Sequence, residues 1–182
     1  MPPAAFALAL ALVASSDLAQ PAPAAVRAHV RALLGAIDRP VSPETFRALG
    51  PGAEDALAEF ARGDGHPMRR VRALDALAGL GGPRAEAVHR EVAASAAPST
   101  VRTTAVRGLG RLAGPTRALG ELSPYLEKDR DPRVRAAAAE ALAAQAPADA
   151  CARIRARARA EPAPARFGRA LSHCARSEAS GR

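Results

Sequence analysis

Apolar residues in this chain recur three and four positions apart within short segments, and prolines and glycines separate one segment from the next. Such spacing is typical of amphipathic helices, each of about a dozen residues. The alternating runs of β-branched and aromatic residues that strands need are absent from the sequence. Because the 182 residues include four phenylalanines, one tyrosine and no tryptophan, alanine and leucine have to form most of the core. The pattern therefore predicts an all-α fold of many closely packed short helices.

Three of the predicted helices repeat one another at an interval of 32 or 33 residues. They are HPMRRVRALDALAGLGG from His66, PSTVRTTAVRGLGRLAG from Pro98 and DPRVRAAAAEALAAQAP from Asp131. The shared positions are Arg70, Arg102 and Arg135; Ala73, Ala105 and Ala138; Ala76, Gly108 and Ala141; and Leu77, Leu109 and Leu142. Small residues at such positions let a neighbouring helix approach closely, so these helices are predicted to stack in a row.

Proline and short polar residues mark where the helices begin. Pro67 and Pro132 can occupy a first helical turn without losing a hydrogen bond, and Asp131 or Ser99 can cap the free amides. Second helices, one between each pair of repeated helices and one at either end, are predicted to start at Pro51, Pro83, Pro115 and Pro147. The short turns between first and second helices predict antiparallel hairpins.

The two ends of the chain read as helical caps. Residues 23–38 predict one helix and residues 42–50 a shorter one, while a final helix is predicted from about Pro164 to Arg176. The predicted organisation is a signal peptide with a short linker over residues 1–24, a helical-repeat domain over 25–177 and a flexible tail over 178–182.

The segment DPRVRAAAAEAL, Asp131 to Leu142, resembles the motif of the HEAT-repeat family in its short bacterial form. The two earlier segments match the motif partially, because Arg69 replaces the usual valine and Pro98 the usual aspartate. The resemblance implies a right-handed α-α superhelix, a solenoid of about four helical hairpins with helical caps. It also implies that the aspartate and the arginines of the motif help to stack successive repeats and form no functional site; these residues are Arg70, Arg102, Asp131 and Arg135.

The amino terminus, MPPAAFALALALVASSDLAQPAPA, has an uncharged apolar run from Ala4 to Ala14 followed by small residues and prolines. This order is typical of a secretory signal peptide, and the run is too short to cross a bilayer, which takes about 20 apolar residues. It predicts a periplasmic or secreted protein. No lysine or arginine precedes the run, which leaves an uncleaved apolar arm or a misassigned start as alternatives, and a cytoplasmic protein if the segment is retained.

Cys151 and Cys174 are the two cysteines of the chain, and they lie at similar distances from the predicted turn at residues 161–164. Folding the last two helices against each other brings both cysteines to the same level. A disulfide is therefore predicted, in keeping with an oxidising compartment. Two buried free cysteines are the alternative. A catalytic thiol is disfavoured, because no acid accompanies His173 and Cys174.

Positive charge is concentrated near the carboxyl terminus. Residues 151–182 contain eight arginines and two glutamates, which is +6 of the net charge of +8. The densest run is predicted to be helical, with the arginines around its exposed surface: Arg153, Arg155, Arg157 and Arg159. The favoured interpretation of these residues is a solvated face that reflects a genome rich in arginine codons. The alternative is a docking patch for an anionic partner, an acidic protein, lipopolysaccharide or phospholipid headgroups, while the lack of exposed aromatics disfavours nucleic acid.

The sequence predicts no catalytic, cofactor or metal site, since the histidines are dispersed and no His-Glu-x-x-His, Cys-x-x-Cys or phosphate-binding glycine loop occurs. We expect an exported, non-catalytic scaffold that binds an unknown protein on the face of the second helices. The candidate partner-binding residues are Glu86, His89, Arg90, Glu121, Arg153 and Arg157. One alternative is a cytoplasmic helical-repeat protein that binds nucleic acid through its basic last helices. Another is an enzyme-associated helical-repeat module such as a chromophore lyase subunit, which no residue of the sequence supports.

Overall fold

The computed structural model describes residues 23–36 and 41–180, apart from the side chain of Pro147. The predicted signal peptide therefore lies almost wholly outside the described residues, as do Ile37 and Asp38 of the first predicted helix. Within the described part every regular element is helical. The elements are α1 (Ala24–Gly35), α2 (Pro43–Arg47), α3 (Gly52–Arg62), α4 (Pro67–Leu80), α5 (Gly82–Ala94), α6 (Ser99–Lys128), α7 (Pro132–Gln145), α8 (Pro147–Ala160), a 3₁₀ turn (Pro164–Phe167) and α9 (Gly168–Ser180).

The long helix α6 is broken at Gly114, where φ is 65° and ψ is −177°. A side chain would be strained at this positive φ, which glycine adopts freely. The break separates a first segment, residues 99–113, from a second segment, residues 115–128. α6 is therefore the hairpin that the sequence predicts around Pro115.

Helix starts follow the predicted signals with one exception. Pro67 and Pro132 open α4 and α7. A carboxylate oxygen of Asp131 accepts a hydrogen bond from the amide of Arg133 at 2.8 Å, which makes Asp131 the cap of α7. The suggestion that Ser99 caps its helix is wrong, because Ser99 is already the first residue of α6 and no side-chain cap bond forms there.

The helices are layered in a row. The first helices of successive repeats contact one another: α4 contacts α6, and α6 contacts α7. The second helices do the same, since α3 contacts α5 and α6 contacts α8. The interior consists largely of alanine and leucine, and the repeated Ala73, Ala105, Ala138, Leu77, Leu109 and Leu142 are fully buried. The structure thus confirms the predicted all-α solenoid.

The alanine run of α7 lies between neighbours on more than one side. α7 contacts α6, α8 and α9. Its buried residues are Val134, Ala136, Ala137, Ala138, Ala139, Ala141, Leu142 and Ala143. A helix enclosed in this way has to be narrow, which alanine allows while also favouring the helical backbone.

Both ends of the row are covered by helices, as predicted. α1 buries Val30 and Leu34, and the last element, α9, buries Ala170 and Cys174. α9 continues to Ser180, three residues into the segment that the sequence analysis assigns to a tail.

Candidate partner-binding face

The repeated arginines each reach back to the end of the preceding second helix. The Nε of Arg70 donates to the carbonyl of Ala61 at 3.0 Å, and the Nε of Arg102 donates to that of Ala93 at 2.9 Å. Arg135 donates through Nη1 to the carbonyl of Asp129 at 2.6 Å. The carbonyls at a helix end lack partners within the helix and carry partial negative charge, so a guanidinium stabilises them. The structure places these arginines between repeats.

Two of the three arginines also bind a carboxylate that follows the second helix of their own repeat. Arg102 forms a bidentate pair with Asp129, and Arg135 forms one with Glu161 at 2.5 and 2.6 Å. The Glu161 side chain is 1% exposed, and its hydrogen bond with Arg135 holds the pKa of this carboxyl below its ordinary value. Arg70 has no such acid. Ser95 stands at the corresponding end of α5.

Three predicted partner-binding residues come together in one ion-pair cluster on the second helices. Arg90 binds Glu86 at 2.7 Å and Glu121 at 2.9 Å, and Arg117 holds both carboxylate oxygens of Glu86 at 2.7 and 2.8 Å. The hydrogen bond from Arg117, more than that from Arg90, lowers the pKa of Glu86 to about 2. The cluster joins α5 to the second segment of α6.

Beside this cluster lies an open groove of about 520 Å³ between α5 and the second segment of α6. Tyr125, the single tyrosine of the chain, lines it half-buried, and burial raises the pKa of its phenol. Gly120 lines it without a side chain, and a Cβ there would meet no atom within 4 Å. We call this the second-helix groove; it is lined by Arg90, Thr116, Arg117, Gly120, Glu121, Pro124 and Tyr125.

His89 does not belong to this face, which corrects the prediction that it is a partner-binding residue. It is fully buried, its Nδ1 lies 2.7 Å from the carbonyl of Ala85, and burial lowers the pKa of the imidazole. Most buried residues of α3 have a buried counterpart 32 residues later in α5. In this register His89 corresponds to the core residue Leu57, which explains its burial.

The arginines of α8 are mostly engaged within the protein. Arg153 binds Glu127 at 3.0 Å, Arg155 binds Glu178 at 2.5 Å and Arg157 binds Glu161 at 2.8 Å. Among the described residues Arg159 has no acidic partner, so one of the four arginines considered for an anionic partner is left unpaired. Arg153 and Arg157, also predicted to bind a partner, lie outside the second-helix groove.

Cys151 and Cys174 lie at disulfide distance, with 5.6 Å between their Cα atoms. They connect α8 to α9 and so close the last hairpin, as the sequence predicts. Both are buried.

Four residues of these sites were not predicted from the sequence: Arg117, Tyr125, Asp129 and Glu161. The pairing of Arg117 could have been predicted from the sequence, because Glu86 and Arg117 are 31 residues apart, as are Arg90 and Glu121. Opposite charges one repeat apart on second helices meet across the stack. Asp129 and Glu161 share their place, directly after the end of a second helix.

The described residues contain no cluster of three histidine, cysteine or acidic side chains suited to a metal ion. Across the same ranges, each helix is too short or too polar to span a bilayer.

Comparison with known proteins gives one positive finding. A family model of HEAT repeats matches residues 53–143 and, in a second overlapping match, residues 90–172. Comparisons with curated proteins and with solved structures give no match. The matched residues run from α3 into α9.

Proposed function

Since this chain belongs to the HEAT-repeat family, we propose that it is an exported, non-catalytic scaffold that binds a protein partner through the second-helix groove. Stacked helical repeats present extended surfaces of side chains held on rigid helices, and such surfaces suit the binding of an extended or helical partner.

The observation that carries the proposal is the composition of the second-helix groove. It combines a half-buried tyrosine with two arginines, and these residue types dominate the energetics of protein interfaces. Glu86 and Glu121 hold the two guanidinium groups in place, so little side-chain freedom remains to be lost on binding. Because the cluster pairs its own charges, it favours a partner that offers an apolar surface and directional hydrogen bonds over a highly charged one.

Export rests on the amino-terminal pattern together with the cysteine pair. An apolar run followed by small residues precedes a domain whose two cysteines lie at disulfide distance, and such bonds persist in oxidising compartments. The cytoplasmic nucleic-acid alternative loses support from α8, because three of its four arginines already bind carboxylates.

Gly120→Trp tests the groove, because it places a large side chain on the groove lining at a position where a Cβ would meet no neighbouring side chain within 4 Å. Ala144→Trp, at an exposed position of α7, is the matched control. A partner is first identified by cross-linking to the wild-type protein, and its affinity is then measured with each purified variant. We expect Gly120→Trp to weaken binding at least about tenfold and Ala144→Trp to leave it unchanged. Equal affinities for both variants would refute the groove.

Export is tested by the intact mass of the protein recovered from its native host. We expect the loss of about two dozen residues and a mass about two daltons below that of the reduced mature chain. A full-length, reduced chain would instead favour a cytoplasmic protein.

A further inference from the structure

Two adjoining clefts lie along the first helices near the carboxyl end of the row. One, of about 310 Å³, is lined by α6, α7 and the 3₁₀ turn, and the other, of about 440 Å³, by α7 and α9. Arg107 of the first cleft pairs with Glu140 of the second at 2.8 Å, so the clefts share a border. We call their basic lining the first-helix strip: Arg133, Arg166, Arg169, His173 and Arg176.

The cations of the first-helix strip lack acidic partners. Arg166, Arg169 and Arg176 are exposed and form no ion pair within the described ranges. Arg133 reaches the hydroxyl of Ser99 at 3.4 Å but binds no carboxylate. Glu140 is the one acid among the residues that line either cleft, and Arg107 already occupies it.

This lack of pairing sets the strip apart from the opposite face. Arg90 and Arg117 on the second helices, and Arg153 and Arg155 on α8, bind carboxylates of neighbouring helices.

The chemistry of the strip selects among anionic partners. The apolar anchor that surface binding to a membrane needs is lacking, because the exposed large hydrophobic residue of the described chain, Met68, lies on α4 and lines neither cleft. No aromatic side chain lines the clefts for base stacking. Hydroxyls of Thr100, Thr103 and Ser172 line them beside the guanidinium groups, an arrangement that suits the carboxylates and amides of a polypeptide.

We propose that the first-helix strip is a second docking surface, which binds an extended acidic segment of a protein partner. The aspartate or glutamate side chains of that segment pair with the strip arginines, and its backbone bonds to the cleft hydroxyls. The surface is distinct from the second-helix groove, so the scaffold holds two partners at once.

The test uses the full oxidised protein and a short fluorescent glutamate-rich peptide, with the same peptide carrying glutamine as a blank. Binding is measured by fluorescence anisotropy at low and at physiological salt. The strip variant carries Arg166→Gln, Arg169→Gln and Arg176→Gln. The control variant, of equal net charge, carries Arg69→Gln, Arg130→Gln and Arg159→Gln, cations that are also without an ion pair in the described chain. We expect the strip variant to weaken binding about tenfold and the control less than about twofold.

A second variant, Gly168→Trp, fills the larger cleft without altering charge, since a Cβ there would meet no atom within 4 Å; it should also weaken binding. Equal loss in the strip and control variants, tighter binding to phosphatidylglycerol vesicles or duplex DNA than to the peptide, or no peptide binding at all would overturn the proposal. Gly120→Trp should leave peptide binding unchanged, so failure of the strip and failure of the groove are told apart.

Discussion

Gly108 of α6 lies directly against the buried imidazole of His89, with no room for a side chain between them. A Cβ at Gly108 would lie 2.2 Å from both Cδ2 and Nε2 of His89, a distance that requires the ring or the helix to move. In the register of the repeats His89 takes the place of Leu57, and Gly108 that of Ala76. The imidazole ring of His89 reaches further from its backbone than a leucine side chain does, and the missing methyl group at Gly108 makes room for it.

Replacing Gly108 by alanine should destabilise the protein by about 2 kcal/mol, because the steric overlap outweighs the better helix propensity of alanine. Adding His89→Leu to Gly108→Ala restores the pair found in the preceding repeat and should recover the loss. Urea denaturation of the wild type, the two single variants and the double variant gives the coupling energy, which we expect to exceed about 1 kcal/mol.

Gly120→Ala is the matched control for the helix-propensity effect. Gly120 lies within the second segment of α6, where a Cβ would meet no atom within 4 Å. This change should stabilise the protein by about 0.5–1 kcal/mol. A coupling energy near zero between positions 89 and 108, or destabilisation at both glycines, would contradict the steric explanation.

Acidification should weaken the fold through His89. Burial lowers the pKa of this imidazole below its ordinary value of 6.5, with the nearby Arg111 acting in the same direction and Asp75 opposing it. The unfolded chain therefore takes up this proton at a higher pH than the folded chain does, and stability is lost as the pH falls below about 6.5 towards the lower folded-state pKa. Thermal unfolding of wild type and His89→Leu between pH 7.5 and pH 5, roughly the range in which histidine titrates, measures the effect.

In that comparison the His89→Leu variant is the control for every titrating group other than His89. The carboxyl groups with lowered pKa, Glu44, Glu86 and Glu161, start from an ordinary value of 4.5, so their contribution is lost mainly below the range tested. If the variant loses as much stability on acidification as the wild type does, another group is responsible and the role of His89 is refuted.

The placing of the helices could be predicted because local signals and tertiary demands agree. Prolines open α4 and α7, Asp131 caps α7, and the recurring alanines and leucines mark the buried stripe. The HEAT motif and the hairpin pattern carry the same information, so the fold is specified several times over.

The surface could be predicted less well, because a helix position does not say which side chain meets which across the stack. The position of His89 on a second helix predicts the partner-binding face for it, whereas its register with Leu57 puts it in the core. The sequence of α8 alone does not show that its arginines are paired, because partners such as Glu127 and Glu178 come from other helices. Pairing across repeats depends on distances that a single helix pattern does not contain.

Ser95→Asp should stabilise the first complete repeat by supplying the acid that Arg70 lacks. The hydroxyl of Ser95 accepts a hydrogen bond from the amide of Ala97 at 3.2 Å, just as a carboxylate oxygen of Asp129 accepts one from the amide two residues on, at 2.9 Å. An aspartate can keep this turn and also face Arg70, as Asp129 faces Arg102. We expect a gain of up to about 1 kcal/mol in the free energy of unfolding.

Ser95→Asn separates charge from turn geometry, because asparagine keeps the acceptor but carries no charge. The gain should appear with aspartate and not with asparagine, and it should vanish when Arg70→Gln is added. Equal stability of the two variants at position 95 would show that Arg70 gains nothing from a carboxylate there.

Breaking the Cys151–Cys174 crosslink should loosen the carboxyl end of the row first. The loop it closes spans 23 residues, for which the loop-entropy model gives roughly 3 kcal/mol. Among the described elements α9 packs mainly against α7, α8 and the adjoining 3₁₀ turn. In a stack of repeats an end unit has neighbours on one side only, so it frays before the centre does. Hydrogen exchange with and without reductant should therefore show faster exchange in α8 and α9 while α4 stays protected. A variant with both cysteines replaced by alanine should exchange like the reduced protein and ignore the reductant; uniform loss of protection along the whole chain would instead mean that the repeats unfold as one unit.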